Sequence, residues 1–294
     1  MKQNFLLIGE GYWGKKIKLV LEQFSNVIVC DPLKYSTAYS LNDYLEQNIS
    51  AIFIATPEQT HYNIALECLK KGKPTFVEKP LCLHTEECQQ LIELAVEKNT
   101  VLYADYIFLF DELGTIIKQL LQQEVLGEIK KIVSLRYSSG IYKSNIVVTD
   151  DLAVHDFSLM RKWFGSFPKE IQLLSPNHTS YSQLTTDILY TLPYGFWEAH
   201  YSWNYPYKLR QCSIQGQKGQ LEWRVDDHHE ELSLITLEGQ KKVFLKQNKS
   251  TPLEQSISFF LQLSTQEAKT NYVTYQKDTQ LIEQCRRLIT HQLN

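Results

Sequence analysis

The stretch Asn4–Gly14, "NFLLIGEGYWG", runs from a short apolar segment into Gly9, Gly11 and Gly14, spaced as G-x-G-x-x-G. The unbroken apolar run Phe5–Ile8 reads as a strand buried on both faces. Residues Tyr12–Phe24 then place apolar side chains at helical intervals, so the glycines occupy a strand-to-helix turn. There Gly9 allows a tight turn, Gly11 lets the backbone approach a pyrophosphate, and Gly14 lets helix and strand pack closely. The helix start offers unpaired N–H groups and a partial positive charge to an anion.

The pattern continues outward from that turn. "VIVCD", "AIFIAT", "PTFVEK" and "TVLYAD" are further short apolar runs, with helical patterns after the third (through Ala65 and Leu69) and the fourth (about Thr85–Lys98). Apolar strands alternating with amphipathic helices predict a doubly wound parallel sheet covered on both faces. Asp31 closes the second strand about 20 residues beyond the glycines, where an acid accepts hydrogen bonds from ribose hydroxyls and repels a 2′-phosphate. No arginine stands near it, although Lys34 is close. The cofactor read from this half is NAD, favoured over NADP.

The character changes near Ala104–Ile107. Helices are expected at about Leu113–Gln123 and Asp151–Phe164, and a strand at Ile129–Tyr137. Six strand-like runs follow: "QLTTDILYTL", "GFWEAHYSW", "RQCSIQG", "GQLEWRV", "ELSLITLE" and "KKVFLKQ". Successive strands without crossover helices predict an antiparallel sheet. Two helices close the chain, about Leu253–Gln266 and Gln276–His291. The fold class is therefore α/β: a dinucleotide-binding domain over residues 1–106 and an α+β domain with a large open antiparallel sheet over 107–294.

Bulk properties narrow the function. The chain has 294 residues, 43% hydrophobic and 21% charged, with a net charge of −3. That balance argues against a nucleic-acid-binding face. No apolar stretch reaches transmembrane length, and the apolar run at the N-terminus is too short for a secretory signal. The six cysteines are scattered without a Cys-x-x-Cys pair, as reduced thiols of a cytoplasmic protein would be. The pair "HH" at 228–229 sits in a polar turn without a ligand cluster, so no metal site is expected.

Ligands of doubly wound sheets bind beyond the carboxyl ends of the strands. "ATPEQTH" and "VEKP" both begin where a strand ends, which puts Thr56, Pro57, Glu78 and Lys79 on one rim with the glycine turn. Asp151 and His155, four residues apart on a helix, share one helical face. A carboxylate beside an imidazole orients it and raises its basicity. Taken singly, such features are also capping residues, surface lysines and packing histidines.

Together, "GEGYWG", "ATPEQTHYNIALECLKKGKPTFVEKPL" and "DLAVHDFSLMRKWFG" resemble the glucose-fructose oxidoreductase/inositol dehydrogenase (Gfo/Idh/MocA) family. The likeness is strong to about residue 165 and looser beyond. It implies an N-terminal Rossmann domain and nicotinamide-dependent oxidation or reduction of a sugar, cyclitol or nucleotide-sugar. It implies His155 as acid/base, Asp151 as its support, and Lys79 on the reacting oxygen. His61 resembles a family histidine near the cofactor, and Tyr12 and Trp13 lie in the phosphate turn, where they shield the cofactor or pack.

The sequence departs from the family pattern at Leu109, where many members have arginine. Ser158 stands in place of an Asp three residues after the helix histidine, and Ala153 replaces a glycine two before it. Substrate contacts are expected from the second domain's sheet and from the loop "SSGIYKSN", with Tyr142, Lys143 and Asn145 as candidates and Arg210 a weaker one. The alternating bulky residues of "WEAHYSWNY" read as a free sheet face, which the family buries in homodimers or homotetramers. Two other readings compete: a reductase of a non-sugar C=N or conjugated bond, resembling imine and biliverdin reductases, and an NAD-sensing regulator without turnover.

Overall fold

The computed structural model of the chain describes residues 4–31, 40–139, 143, 146–174, 184–226 and 230–290. Tyr142 and Asn145, Lys34 and the pair at 228–229 lie outside them. The chain divides into two compact units.

The first unit opens with β1 (Asn4–Ile8), α1 (Tyr12–Phe24), β2 (Asn26–Cys30), a short α2 (Leu41–Leu45), β3 (Ala51–Ile54), α3 (His61–Lys70), β4 (Thr75–Glu78), α4 (Thr85–Glu97) and β5 (Leu102–Asp105). The strands lie in the order β2-β1-β3-β4-β5, all parallel. Every residue of β3, β4 and β5 is buried, which is why they read as unbroken apolar runs. Strand order reverses at β1, whose neighbours are β2 on one side and β3 on the other, so the chain leaves adjacent strands in opposite directions there. That leaves a crevice beyond their carboxyl ends.

The second unit contains α5 (Glu112–Gln122), β6 (Ile129–Tyr137), α6 (Val148–Phe164), β7 (Glu170–Leu173), β8 (Thr185–Leu192), β9 (Gly195–Ser202), β10 (Leu209–Gly216), β11 (Gly219–Val225), β12 (Glu230–Thr236) and β13 (Lys241–Phe244). The eight strands are ordered β13-β12-β11-β10-β6-β9-β8-β7. Neighbours are antiparallel except β6 and β9, which run parallel because α6, β7 and β8 intervene between them. β7 went unread in the sequence: "EIQL" is an edge strand with two exposed positions and no apolar run.

The bulky residues of "WEAHYSWNY" do not line a free face. Trp197 and Tyr201 are fully buried, with Trp163 of α6 stacked on Trp197 at 5.7 Å. Phe196, 51% exposed, belongs to the opposite face with Glu198 and His200. The period of two was read correctly and assigned to the wrong side: the large side chains face the helix, not solvent.

The chain ends with α7 (Pro252–Gln262) and α8 (Thr265–Thr290). Residues 250–281 pack in the first unit, and 282–290 go with the second. The sequence break at 106/107 had placed all of them in the second domain. Packing decides otherwise. Phe260 of α7 lies 5.4 Å from Phe53, 5.5 Å from Phe76 and 5.8 Å from Tyr103, ring centre to ring centre, and so covers β3, β4 and β5. α7 starts at a capping box in which Thr251 Oγ1 accepts the Glu254 N–H and Glu254 accepts the Thr251 N–H. α8 is one helix of 26 residues where the sequence predicted only its second half. Its first half carries few apolar residues, but Ala268, Tyr272 and Tyr275 are buried.

Truncating Phe260 tests this assignment. Phe260→Ala should lower the unfolding free energy by about 3–5 kcal/mol in a urea titration, as for other buried aromatic side chains. A loss below about 1 kcal/mol would mean that α7 is not part of this core.

Candidate active site

In the first unit, the glycine turn is a steric necessity at two positions. Gly9 has φ of +90°, and a Cβ there would lie 2.7 Å from the Ala55 carbonyl oxygen. A Cβ at Gly14 would lie 2.1 Å from the Gly9 carbonyl oxygen. At Gly11 a Cβ would meet nothing within 4 Å, so the protein itself does not require glycine there. α1 starts at Gly11 with no side-chain cap and no acid in its first turn, and so leaves its first N–H groups and positive end to a ligand. These residues fit a dinucleotide.

Asp31 follows β2 and is buried; its Oδ2 accepts the Glu10 N–H at 2.7 Å. One oxygen of the acid expected at the ribose thus also fixes the turn. Glu10 is paired with Lys18 of α1 at 2.7 Å. Tyr12 is 70% exposed and meets Trp13 edge to face at 6.0 Å. The Lys16 ammonium lies 4.4 and 4.7 Å from their ring centres. Lys16 had one signal in the sequence, its position one helical turn beyond Tyr12, and was missed there.

The loops after β3 and β4 form the rest of this rim. The Thr60 hydroxyl lies 2.7 Å from that of Thr56 and 2.6 Å from the Pro57 carbonyl. His61 is buried, with Nε2 2.9 Å from the Thr56 carbonyl and Nδ1 2.7 Å from the Pro80 carbonyl. Burial pushes its imidazole toward the neutral form, which donates to one of these carbonyls at a time. The residue read as a cofactor neighbour therefore clasps the β3 loop to the β4 loop. Glu78 ends β4 and is buried. Lys79 follows it, half-buried, and its peptide bond to Pro80 is cis.

In the second unit, α6 carries the remaining candidates. Asp150 caps it: its Oδ2 accepts the Val147 N–H at 3.0 Å, and its carboxylate is paired with Arg286. Asp151 accepts Trp203 Nε1–H at 3.1 Å and lies 3.5 Å from the Lys143 ammonium. Of the three candidates named in the expected substrate loop, Lys143 is thus the one described, and it is tied to Asp151. His155 is buried, with its ring edge-on to Phe108 at 4.9 Å. Ser158 donates to the His155 carbonyl at 2.7 Å, so the hydroxyl that replaces the family's acid is turned onto the helix backbone.

The residue after His155 anchors it. Asp156 is completely buried and accepts from Arg136 Nε at 2.7 Å, Ser134 Oγ at 2.8 Å and Tyr201 OH at 2.8 Å. The second Arg136 contact is 2.6 Å. Ser134 in turn accepts Trp197 Nε1–H at 2.8 Å. Four side chains from β6 and β9 therefore fix this turn of α6. The sequence supplied only the acid. Its partners lie 20–45 residues away, a distance at which periodicity carries no signal. Arg136 and Arg210 also lie 5.0 and 5.6 Å from the Phe108 ring, so this ring is flanked by two guanidinium groups and His155.

Comparison with known proteins bears on both units. Residues 4–106 match the GFO_IDH_MocA profile, described as an oxidoreductase family with an NAD-binding Rossmann fold. An uncharacterized oxidoreductase of Synechocystis sp. is 33% identical over 99 residues, which is 32% of this chain and 27% of that protein. Myo-inositol 2-dehydrogenase of Thermotoga maritima is 24% identical over 138 residues, covering 43% and 39%. The chain thus spans well under two thirds of these relatives. The structure of UDP-N-acetylglucosamine 3-dehydrogenase GnnA from Acidithiobacillus ferrooxidans superposes over 100% of both chains, with TM-score 0.79 and 21% identity. That likeness establishes a shared fold.

Replacing the buried anchor should be costly. Asp156→Asn leaves the Arg136 guanidinium buried without a counter-charge. It should destabilise the protein by about 3–5 kcal/mol in equilibrium unfolding, as breaking other buried ion pairs does.

Proposed function

We propose, on the premise that residues 4–106 belong to the Gfo/Idh/MocA oxidoreductase family, that the protein is a nicotinamide-dependent oxidoreductase. Its substrate would be the hydroxyl or carbonyl of a sugar, cyclitol or nucleotide-sugar. The observation that carries this reading is one sheet edge holding both an uncapped glycine turn and, after β4, the half-buried Lys79. The sugar class is supported by the relatives' names, which include an inositol dehydrogenase and a UDP-sugar dehydrogenase.

Gly9, Gly11, Gly14 and the start of α1 would hold the pyrophosphate. Asp31 would hold the adenosine ribose, with Tyr12, Trp13, Thr56 and Pro57 bordering the cofactor. Asp31 favours NAD, since a 2′-phosphate would meet a carboxylate already seated against the turn. When bound, the nicotinamide ring supplies a hydride acceptor or donor. In the oxidising direction His155 takes the proton from the substrate hydroxyl; in reduction it returns it. Lys79 donates a hydrogen bond to the same oxygen and stabilises its negative charge as it develops. Asp151, one helical turn before His155, supports it and is itself paired with Lys143. The reading assigns all three groups to one substrate.

A second copy of the chain is the partner we assign to the sheet face opposite α6. Support comes from the apolar residues there that α6 does not cover: exposed Phe196 and half-exposed Val133 and Leu135.

Two measurements test the reading. NADH should bind more tightly than NADPH in a fluorescence titration, and Asp31→Ser should weaken NADH by roughly 10-fold or more, as expected for lost hydrogen bonds to a charged acceptor. Equal affinities in the wild type would remove the argument for NAD. In a screen of sugars, cyclitols and nucleotide-sugars, at least one should change nicotinamide absorbance. With that substrate, Lys79→Ala and His155→Ala should each lower kcat by about 10²–10⁴-fold, with little change in NADH affinity. Full activity in either variant would end its assigned role.

A further inference from the structure

Behind Lys79 the first unit buries two acids side by side. Glu78, the last residue of β4, is in register with Asp105, the last residue of β5. In-register neighbours on adjacent parallel strands project to the same face, with backbones about 4.8 Å apart. Asp105 is completely buried and Glu78 nearly so. Each has one carboxyl oxygen with no hydrogen-bond partner among the described residues: Glu78 Oε1 and Asp105 Oδ2. The other Asp105 oxygen accepts from Ser256 Oγ of α7 at 2.5 Å. Since the Ser256 hydrogen is committed there, Tyr103 OH donates to Ser256 Oγ, 2.9 Å away.

Two adjacent buried carboxylates repel each other, and both cannot ionise at low cost. A single proton held by the pair removes the repulsion. We infer that Glu78 and Asp105 act as one buried acid that shares a proton and sets the charge behind Lys79, and that Asp105, held by Ser256 and Tyr103, is a positioning residue for that lysine. The inference rests on the proposed role of Lys79 at the reacting oxygen. Glu78 joins the pair to Lys79 through the chain itself, being the residue before it.

The electrostatics agree. Burial, and then the charge of Asp105, raise the Glu78 carboxyl well above the ordinary range. Burial raises Asp105 to about 7, against the opposing effects of its Ser256 hydrogen bond and the Lys79 charge. The other groups facing the pair are few. Glu58, beyond β3, adds negative charge near Glu78. His61 of α3 is clasped between carbonyls. Tyr275 of α8 accepts the Ala104 N–H at 3.3 Å, one residue from Asp105. Lys79 is the only cation acting on either acid among the described residues.

Infrared difference spectra, which need no substrate, test the shared proton. The wild type at about pH 6 should show the C=O band of a buried protonated carboxylic acid, persisting above the ordinary carboxylate range. The band should vanish or shift in Asp105→Asn and in Glu78→Gln. It should persist to higher pH in Ser256→Ala, which removes only the donor to Asp105. Spectra unchanged in Ser256→Ala and Asp105→Asn would overturn the proposal, and Ser256→Ala keeps the test decisive if the acid variants fold poorly.

Stability gives a second reading. The folded acid retains a proton that the unfolded chain gives up near pH 4. Between about pH 4 and 7 the native state therefore binds more protons, and its stability falls as pH rises. The wild-type Tm should drop across this window relative to Asp105→Asn; parallel curves would count against the pair.

Once a substrate is in hand, Asp105→Asn should shift the acid limb of the kcat/KM profile without changing the KM for NADH. An unmoved profile alongside a confirmed infrared band would make the pair purely structural and overturn the positioning role. If Lys79→Ala is fully active while the band is present, the reading of Lys79 fails instead.

Discussion

One carbonyl oxygen sets the geometry of the first unit. The Gly9 C=O sits where a side chain on residue 14 would have to be, and Gly9 itself lies against the Ala55 backbone. Strand β1, helix α1 and the end of β3 can approach that closely only with glycine at both positions. The approach aims the uncapped start of α1 across the crevice between β1 and β3. It also draws the Glu10 N–H onto Asp31, so the same contact that packs the helix orients the acid proposed to read the ribose. The rim depends on this turn because the loops after β3 and β4 are built against it, with His61 as their clasp.

The second unit secures its candidate base by a different means. His155 is not held by a short loop but by its position on a helix whose next residue is buried under Arg136, Ser134 and Tyr201. A buried charge with three donors tolerates little rotation of the helix that bears it. The cost of burying Asp156 and Arg136 is offset only by that geometry, so the network specifies a helix rotation more than it adds stability. His155 and Phe108 inherit the precision.

The two units differ in how they treat buried acids. Asp156 has a full set of donors and a guanidinium partner. Glu78 and Asp105 have too few donors for their oxygens, and the one cation acting on them among the described residues is Lys79, the proposed donor to the reacting oxygen. An acid left short of partners in the core adjusts its protonation instead. Ser256, which supplies the one firm bond to Asp105, comes from α7, far along the chain, so this part of the rim exists only when the closing helix docks.

How far the sequence could be read follows from the range of the interactions. The glycine turn, the parallel strands, the rim residues Thr56 to Lys79 and the helical spacing of Asp151 and His155 are set by contacts within a few residues, and local pattern reports them. The side on which "WEAHYSWNY" buries its large residues, the parallel pairing of β6 with β9 and the three-sided grip on Asp156 are set by partners tens of residues away. The same holds for Ser250–Leu281, which the break at 106/107 assigned to the second domain and which Phe260 carries into the first. Periodicity tells which residues share a face, and by itself determined the fold class and the candidate groups. What covers that face, and which acids are left to share a proton, is decided only when distant segments compete for the same buried surface.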